Sequence, residues 1–135
     1  MMGLTGHGDM RDVDDLRSHG DKDAQLAFDI YIHRIVSYIG AYTAQMGGCD
    51  VITFTAGVGE NDASVREAVC DKLAPFGVKL DKEKNAVRSG DPRVISAPDS
   101  SVTIAVIPTN EELAIARKVA KLAEEGDAYG NVFGR

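Results

Sequence analysis

Phe54-Thr55-Ala56-Gly57-Val58-Gly59-Glu60-Asn61 lies between a strand-like run and a helix-like one, and the fold follows from how it is read. Upstream, Val51-Ile52-Thr53-Phe54 is β-branched and aromatic, the pattern of a buried strand. Downstream, Val65, Ala68, Val69 and Leu73 recur at helical spacing within Ala63 to Leu73. A strand that ends in Gly57-Val58-Gly59 and feeds a helix admits two readings. The glycines make a tight strand-to-helix turn, or they let a nucleotide approach the backbone where the helix start offers unpaired N–H groups. Taken in isolation, a Gly-x-Gly pair favours the plain turn.

A second unit of the same kind lies further on. Val102 to Ile107 reads as a strand buried on both faces, and Pro108 ends its ladder. Thr109 with Glu112 three residues later forms a capping box for a helix running to about Glu125. That helix is expected to pack through Leu113, Ala116, Val119, Ala120 and Ala123, with Gly126 closing it. Between the two units, Pro75-Phe76-Gly77 ends a helix, Gly77 to Asp81 reads as a short strand, and Val94-Ile95-Ser96 as a strand fragment. Lys82 to Pro92 is polar and closes on the turn Ser89-Gly90-Asp91-Pro92.

Ahead of the first unit, Gly3 to Gly8 is glycine-rich and predicts loop or strand end, not helix. Val13 to Ser18 predicts a short helix, capped by Asp12 or a neighbour and stopped by Gly20. Asp21 to Gln45 is the longest periodic segment. Leu26, Ala27, Ile30, Tyr31, Ile35, Tyr38, Ile39, Tyr42 and Met46 make its apolar stripe, and Gly47-Gly48 ends it. Such a stripe lines a core or forms a subunit interface, and core packing is the expectation. Strands alternating with helices predict an α/β fold, one unit over 1–126 with a loosely held tail over 127–135.

The 135 residues suffice for one modest core, and 44% hydrophobic with 27% charged residues is ordinary globular composition. A net charge of −6 argues against nucleic acid or an anionic membrane surface as a partner. No apolar run approaches membrane-spanning length, and no signal-peptide core opens the chain. Cys49 and Cys70 lack metal-type spacing, and His7, His19 and His33 form no ligand pair. A reducing, cytoplasmic setting is expected.

The chemistry narrows by exclusion. A dinucleotide fingerprint would use Gly57, Gly59 and Asp81, but its third glycine falls on Asp62 and Thr55-Ala56 lengthen the turn. No Gly-Lys-Ser/Thr follows, so a Walker-type phosphate loop is excluded. There is neither a Gly-x-Ser-x-Gly elbow nor a Cys–His nucleophile pair. Glu111, beside the capping residue, either complements the helix dipole or holds Mg²⁺ together with substrate phosphates. Arg11 is either a surface cation or a base- or phosphate-contacting group.

Three motifs in register carry a resemblance. Asp9-Met10-Arg11-Asp12, the Phe54-to-Asn61 run, and Val106-Ile107-Pro108-Thr109-Asn110-Glu111-Glu112-Leu113 resemble successive motifs of acetate kinase, in the order and spacing of its C-terminal portion. The features between agree: the Gly77-to-Asp81 segment, Glu83-Lys84-Asn85, and Ser96-Ala97-Pro98-Asp99. The similarity spans about Gly3 to Glu125. It implies part of an actin-like ATPase (ribonuclease H-like) domain of the acetate and sugar kinase/Hsp70/actin superfamily. It implies an enzyme that moves the γ-phosphoryl of ATP to acetate, reversibly, with Mg²⁺, giving acetyl phosphate and ADP. Propionate or butyrate is the alternative acceptor. By position, Asp9, Met10 and Arg11 resemble a first adenosine-binding segment. Gly57, Val58, Gly59, Glu60 and Asn61 resemble a second, around adenine, ribose and α-phosphate. Glu111 resembles the carboxylate associated with Mg²⁺.

The family's enzymes are about three times this length. By resemblance, the chain lacks the N-terminal domain, the acetate pocket, the catalytic Arg, His and Asp groups and a phosphate-binding motif, so it carries no catalytic residue of its own. A fragment, truncated product or part of a split enzyme is expected, inactive alone. A homodimer is also expected by resemblance, and a non-catalytic nucleotide-binding or dimerisation module is the alternative.

Overall fold

A computed structural model of the chain describes residues 1–129, excluding the side chains of Glu111 and residues 125–129. The expected tail over 127–135 therefore lies mostly outside the described residues. Among the described residues, seven α-helices and three short strands follow in the order α1 (Met2–Thr5), α2 (Met10–Ser18), α3 (Lys22–Met46), β1 (Val51–Phe54), α4 (Ala56–Asn61), α5 (Ala63–Leu73), α6 (Lys82–Ala86), β2 (Arg93–Val94), β3 (Thr103–Val106) and α7 (Glu111–Tyr129).

The sheet order is β1-β3-β2. β1 and β3 run parallel, with Ile52 beside Ile104 and Phe54 beside Val106, while β2 joins antiparallel. Alternation along the pleat sends Ile52, Phe54, Ile104 and Val106 to one face, where they form a single apolar cluster with Phe28 and Ile32 of α3 and Val65, Val69 and Leu73 of α5. The opposite face is open at Val51, Thr53 and Thr103, so the expectation of a strand buried on both faces holds only in part. The two parallel strands end side by side, and Ile107 N donates to Phe54 O at 2.9 Å. Both strand-to-helix corners therefore leave the same edge of the sheet. That adjacency is what the functional reading needs.

Several elements depart from expectation for identifiable reasons. α1 forms despite its glycines because Gly6 takes the left-handed conformation (φ 70°) that closes it, instead of interrupting it. Asp9, not Asp12, caps α2, accepting from Arg11 N. The Gly77–Asp81 stretch makes only one antiparallel bridge, Leu80 with Ser96. Gly77 does serve as a hinge: it ends a 3-10 turn at φ 82°, and a Cβ there would sit 2.9 Å from Ser101 Cβ. The polar 82–92 segment contains α6, capped by Asp81 accepting from Lys84 N.

α3 is the largest correction. Its N-terminal half is in the core through Ala24, Ala27, Phe28 and Ile32, yet Leu26, Ile30, Tyr38, Tyr42 and Met46 are exposed. The sequence stripe is wider than the surface this chain offers to cover it. Tyr38 and Tyr42 stack on each other at 6.3 Å. α7 departs further, with Leu113 and Val119 exposed and no described residue from 112 to 124 buried. It also continues through Gly126 to Tyr129, a position a helix interior tolerates at about 1 kcal/mol relative to alanine.

Candidate functional site

The glycine pair is helical, not a bare turn. Thr55 is extended and Ala56 turns left-handed at φ 57°, after which Ala56–Asn61 wind into α4. A left-handed non-glycine residue costs on the order of 1–2 kcal/mol and persists only where its surroundings hold it. Here Ala56 N donates to Glu60 Oε1 at 2.7 Å. The corner after β3 repeats the device, with Asn110 at φ 46°. Its helix is not capped by Thr109, as the expected box required. Asn110 Oδ1 accepts from Leu113 N at 3.3 Å, because the left-handed turn delays the helix by one residue. Thr109 instead donates its N–H and its hydroxyl to Glu60 Oε1, at 2.9 and 3.2 Å.

One carboxylate oxygen thus joins both corners. The Thr109 amide, first among its donors, holds the Glu60 carboxyl below its ordinary 4.5. With a lowered folded pKa, this bonding is complete above that ordinary value and is lost as pH falls through the folded one. Accordingly, the Thr109 amide resonance should titrate below about pH 4.5 in the native chain and stay flat in Glu60→Gln, where an uncharged oxygen still accepts. Equal titration in both would refute the assignment of this bond.

The corner opens onto a cleft of 1410 Å³, larger than the ~300–1,000 Å³ usual for small-molecule pockets. Asp9, Met10, Arg11, Gly57, Val58, Glu60 and Asn61 all line it. Seven of the eight expected nucleotide-binding residues are therefore gathered at one cleft. Gly59 is the exception: a Cβ there would lie 3.4 Å from the Phe54 backbone, in ordinary van der Waals contact. Gly57 lines the cleft and has nothing within 4 Å of an added Cβ. Met10 is only 4% exposed, and its side chain belongs to the core more than to a ligand.

Asp9 and Arg11 are paired with each other through Arg11 Nη2 at 2.6 Å. The guanidinium's hydrogen bond brings the Asp9 carboxyl down to about 2. Arg11 is therefore presented on the cleft rim with its counter-charge already bound. Asn61 Nδ2 donates to Gly57 O at 2.8 Å, bracing α4 across its own turn. Glu111 begins α7 just beyond Asn110, and its side chain lies outside the described residues. Among the described residues, no group of three or more His, Cys, Asp or Glu could hold a metal ion. A site here would need ligand phosphates to complete its shell.

Arg11 is the one cation among the expected nucleotide-binding residues. The cleft adds Arg17, Arg66, Arg88 and Arg93, together with Asp14, Asp62 and Asn85. Arg17 binds Asp14 at 2.6 Å and lies over the Phe28 ring at 3.4 Å, so it is partly packing. Burial, reinforced by the neighbouring Asp62 charge, raises the Asp14 carboxyl. Arg93 Nη1 donates to Ser89 O, while its buried Nε has no partner. No motif signals these residues: the Arg17–Asp14 and Arg93–Ser89 contacts are local but ordinary, and Arg66 meets Asn85 across 19 residues. Among the described residues, no helix is long and apolar enough to cross a membrane.

Comparison with known proteins gives the family and the fold. The profile of the acetokinase family matches residues 1–117. The chain is 54% identical over 126 residues to the acetate kinase of Leifsonia xyli, covering 93% of this chain and 32% of that relative. It is 55% identical over 118 residues to the acetate kinase of Pseudothermotoga lettingae, covering 87% and 29%. The crystal structure of Porphyromonas gingivalis acetate kinase superposes with a TM-score of 0.77 at 41% identity, over 90% of this chain and 31% of that one. A propionate kinase from Francisella tularensis gives 0.75 at 39%, over 85% and 29%. The fold is accordingly actin-like, and the chain spans about a third of the length of the curated relatives it matches.

Proposed function

Because the chain belongs to the acetokinase family, we propose that it is the nucleotide-binding C-terminal portion of an acetate kinase. The whole enzyme would pass the γ-phosphoryl of ATP to acetate, giving acetyl phosphate and ADP, and run in reverse. In this reading Gly57 and Val58 offer backbone against the adenosine, with Asn61 and Arg11 as polar contacts at its edges. Gly59 and Glu60 keep the corner in shape, and Asp9 holds Arg11 in place. Met10 backs the wall. Glu111 would hold Mg²⁺, which when bound neutralises charge on the phosphates.

The observation that carries the reading is the Glu60 carboxylate bound to both Ala56 and Thr109. It makes the glycine corner and the Glu111 corner one rigid rim, so a ligand spanning them meets fixed geometry. The open side of Gly57 supports it, because a larger residue would occupy the approach. No residue of this chain is assigned to the phosphoryl-transfer step. Phosphoryl transfer needs cations around the transferring group, and those would come from the portion the relatives carry and this chain does not. The chain is therefore expected to be inactive alone and to need the N-terminal domain.

An acyl-phosphate assay on this chain, and on one extended upstream by the relatives' remaining portion, tests the proposal. Acetyl phosphate from the longer chain only is the expected result. Activity in neither would leave a non-catalytic nucleotide-binding or dimerisation module, a reading favoured by the exposed Tyr38, Tyr42 and Met46 of α3, where a homodimer is expected to form. Propionate is the acceptor to compare with acetate, given the propionate kinase among the structural neighbours. A cytoplasmic setting goes with this proposal.

A further inference from the structure

We propose that Arg66 and Asn85 are positioning residues that fasten the two walls of the cleft to each other. They would thereby set the shape of the glycine corner that a nucleotide meets. The nucleotide part of this inference rests on the reading above; the fastening itself does not.

Arg66 and Asn85, each 2% exposed, are the buried polar side chains among the described residues. Burying a guanidinium is costly unless its donors are bonded; Arg66 makes no ion pair among the described residues, and four hydrogen bonds use all but one of its N–H groups. Its hydrogen-bond partners are neutral oxygens, with the nearby Asp62 charge adding to them. Nη1 donates to Gly59 O and Glu60 O, each at 2.9 Å, and Nε donates to Asn85 Oδ1 at 2.7 Å. Nη2 donates to Asn85 O at 3.0 Å, and Asn85 Nδ2 reaches on to Ala63 O at 3.0 Å.

Gly59 and Glu60 lie in the last turn of α4, where carbonyls lack partners within their own helix. The guanidinium supplies those partners from α5, the helix behind the cleft. Its planar fork reaches all these oxygens at once, which an ammonium on a flexible stem cannot do. The two segments so joined face the same space: Gly57, Val58 and Asn61 from one wall, Ala86 to Ser89 from the other.

Apolar packing holds the walls only lightly, through the partly buried Val58 on α4. α4 contains no buried residue, and the only buried residue of α6 is Asn85 itself. The polar bracket is therefore what joins the two walls to each other, beside the Glu60 bonds that hold the α4 corner to Thr109. Its loss would free the corner while leaving the sheet intact.

Hydrogen exchange on the 135-residue chain, read by mass spectrometry, tests the bracket without nucleotide. In Asn85→Ala, exchange over 55–62 and over 83–90 should accelerate about tenfold while 102–107 is unchanged. Arg66→Lys should give the same pattern, and serves if the first variant does not fold. Asn85→Asp keeps an oxygen for Nε and should hold 55–62 within about twofold of the native rate. Acceleration confined to 83–90, equal acceleration over 102–107, or no recovery in Asn85→Asp would overturn the proposal. A parallel ATP titration by amide shifts should show affinity falling about tenfold in Asn85→Ala and Arg66→Lys and recovering in Asn85→Asp. Unchanged affinity in the first two would overturn the nucleotide half of the inference. Absence of ATP binding by the native chain would overturn the nucleotide reading itself, with the exchange pattern still deciding the bracket.

Discussion

Ile104→Ala should cost about 3–4 kcal/mol of folding stability, near the middle of the range for emptying a fully buried aliphatic site. Ile104 is 0% exposed on the central strand of the sheet. Its neighbours cannot collapse inward easily. Ile52 is fixed opposite it by the parallel register, and its own carbonyl is fixed by Ile95 N at 2.8 Å. A domain of this size holds roughly 5–15 kcal/mol in total, so the substitution consumes a substantial share. Urea unfolding followed by circular dichroism would show the midpoint falling by more than about 1 M at the usual slopes for small proteins. A loss under about 1 kcal/mol would mean that the cluster between sheet and helices is looser than the register implies.

The second large effect is on binding and should leave the fold alone. Gly57→Val is expected to weaken ATP binding about a hundredfold, since the new side chain occupies the space through which a ligand reaches the backbone. Stability should change by less than about 1 kcal/mol, because the position is helical and an added Cβ meets nothing within 4 Å. The contrast separates a ligand-facing glycine from a structural one. Gly59→Val is the control: its Cβ would already touch the Phe54 backbone at 3.4 Å, so the branched carbons beyond it are expected to destabilise the chain. Binding would be followed by amide shifts over 57–61 during titration. An unaffected affinity in a folded Gly57→Val chain would remove this corner from the nucleotide site.

What the sequence disclosed follows from the range of the forces involved. β1, β3, α3 and α5 were legible because their apolar spacing is local and strong. The corners were misread in detail. Gly57 and Gly59 are poor helix formers, and the segment winds into α4 under bonds that its spacing does not reveal, from Ala56 N to Glu60 and from Arg66 to the Gly59 and Glu60 carbonyls. Thr109 satisfied the spacing of a capping box, but that spacing cannot reveal a carboxylate 49 residues away that claims both its donors. The stripe on α3 was visible without any sign of how much of it this chain could cover. Arg66 and Asn85 are 19 residues apart, and in sequence they are an ordinary surface-type arginine and asparagine. The motifs for the corner and the first segment were sufficient to assemble one wall of the cleft, but not the opposite wall.

The order of the sheet has a practical corollary. Among the described residues, β1 pairs with β3 alone, and Val51-Ile52-Thr53-Phe54 has no charge, proline or bulge to blunt its free rim. Made by itself at high concentration, the polypeptide presents that rim as a template for strand addition by other copies. Turbidity that grows with protein concentration would be the symptom, and dilute handling the remedy.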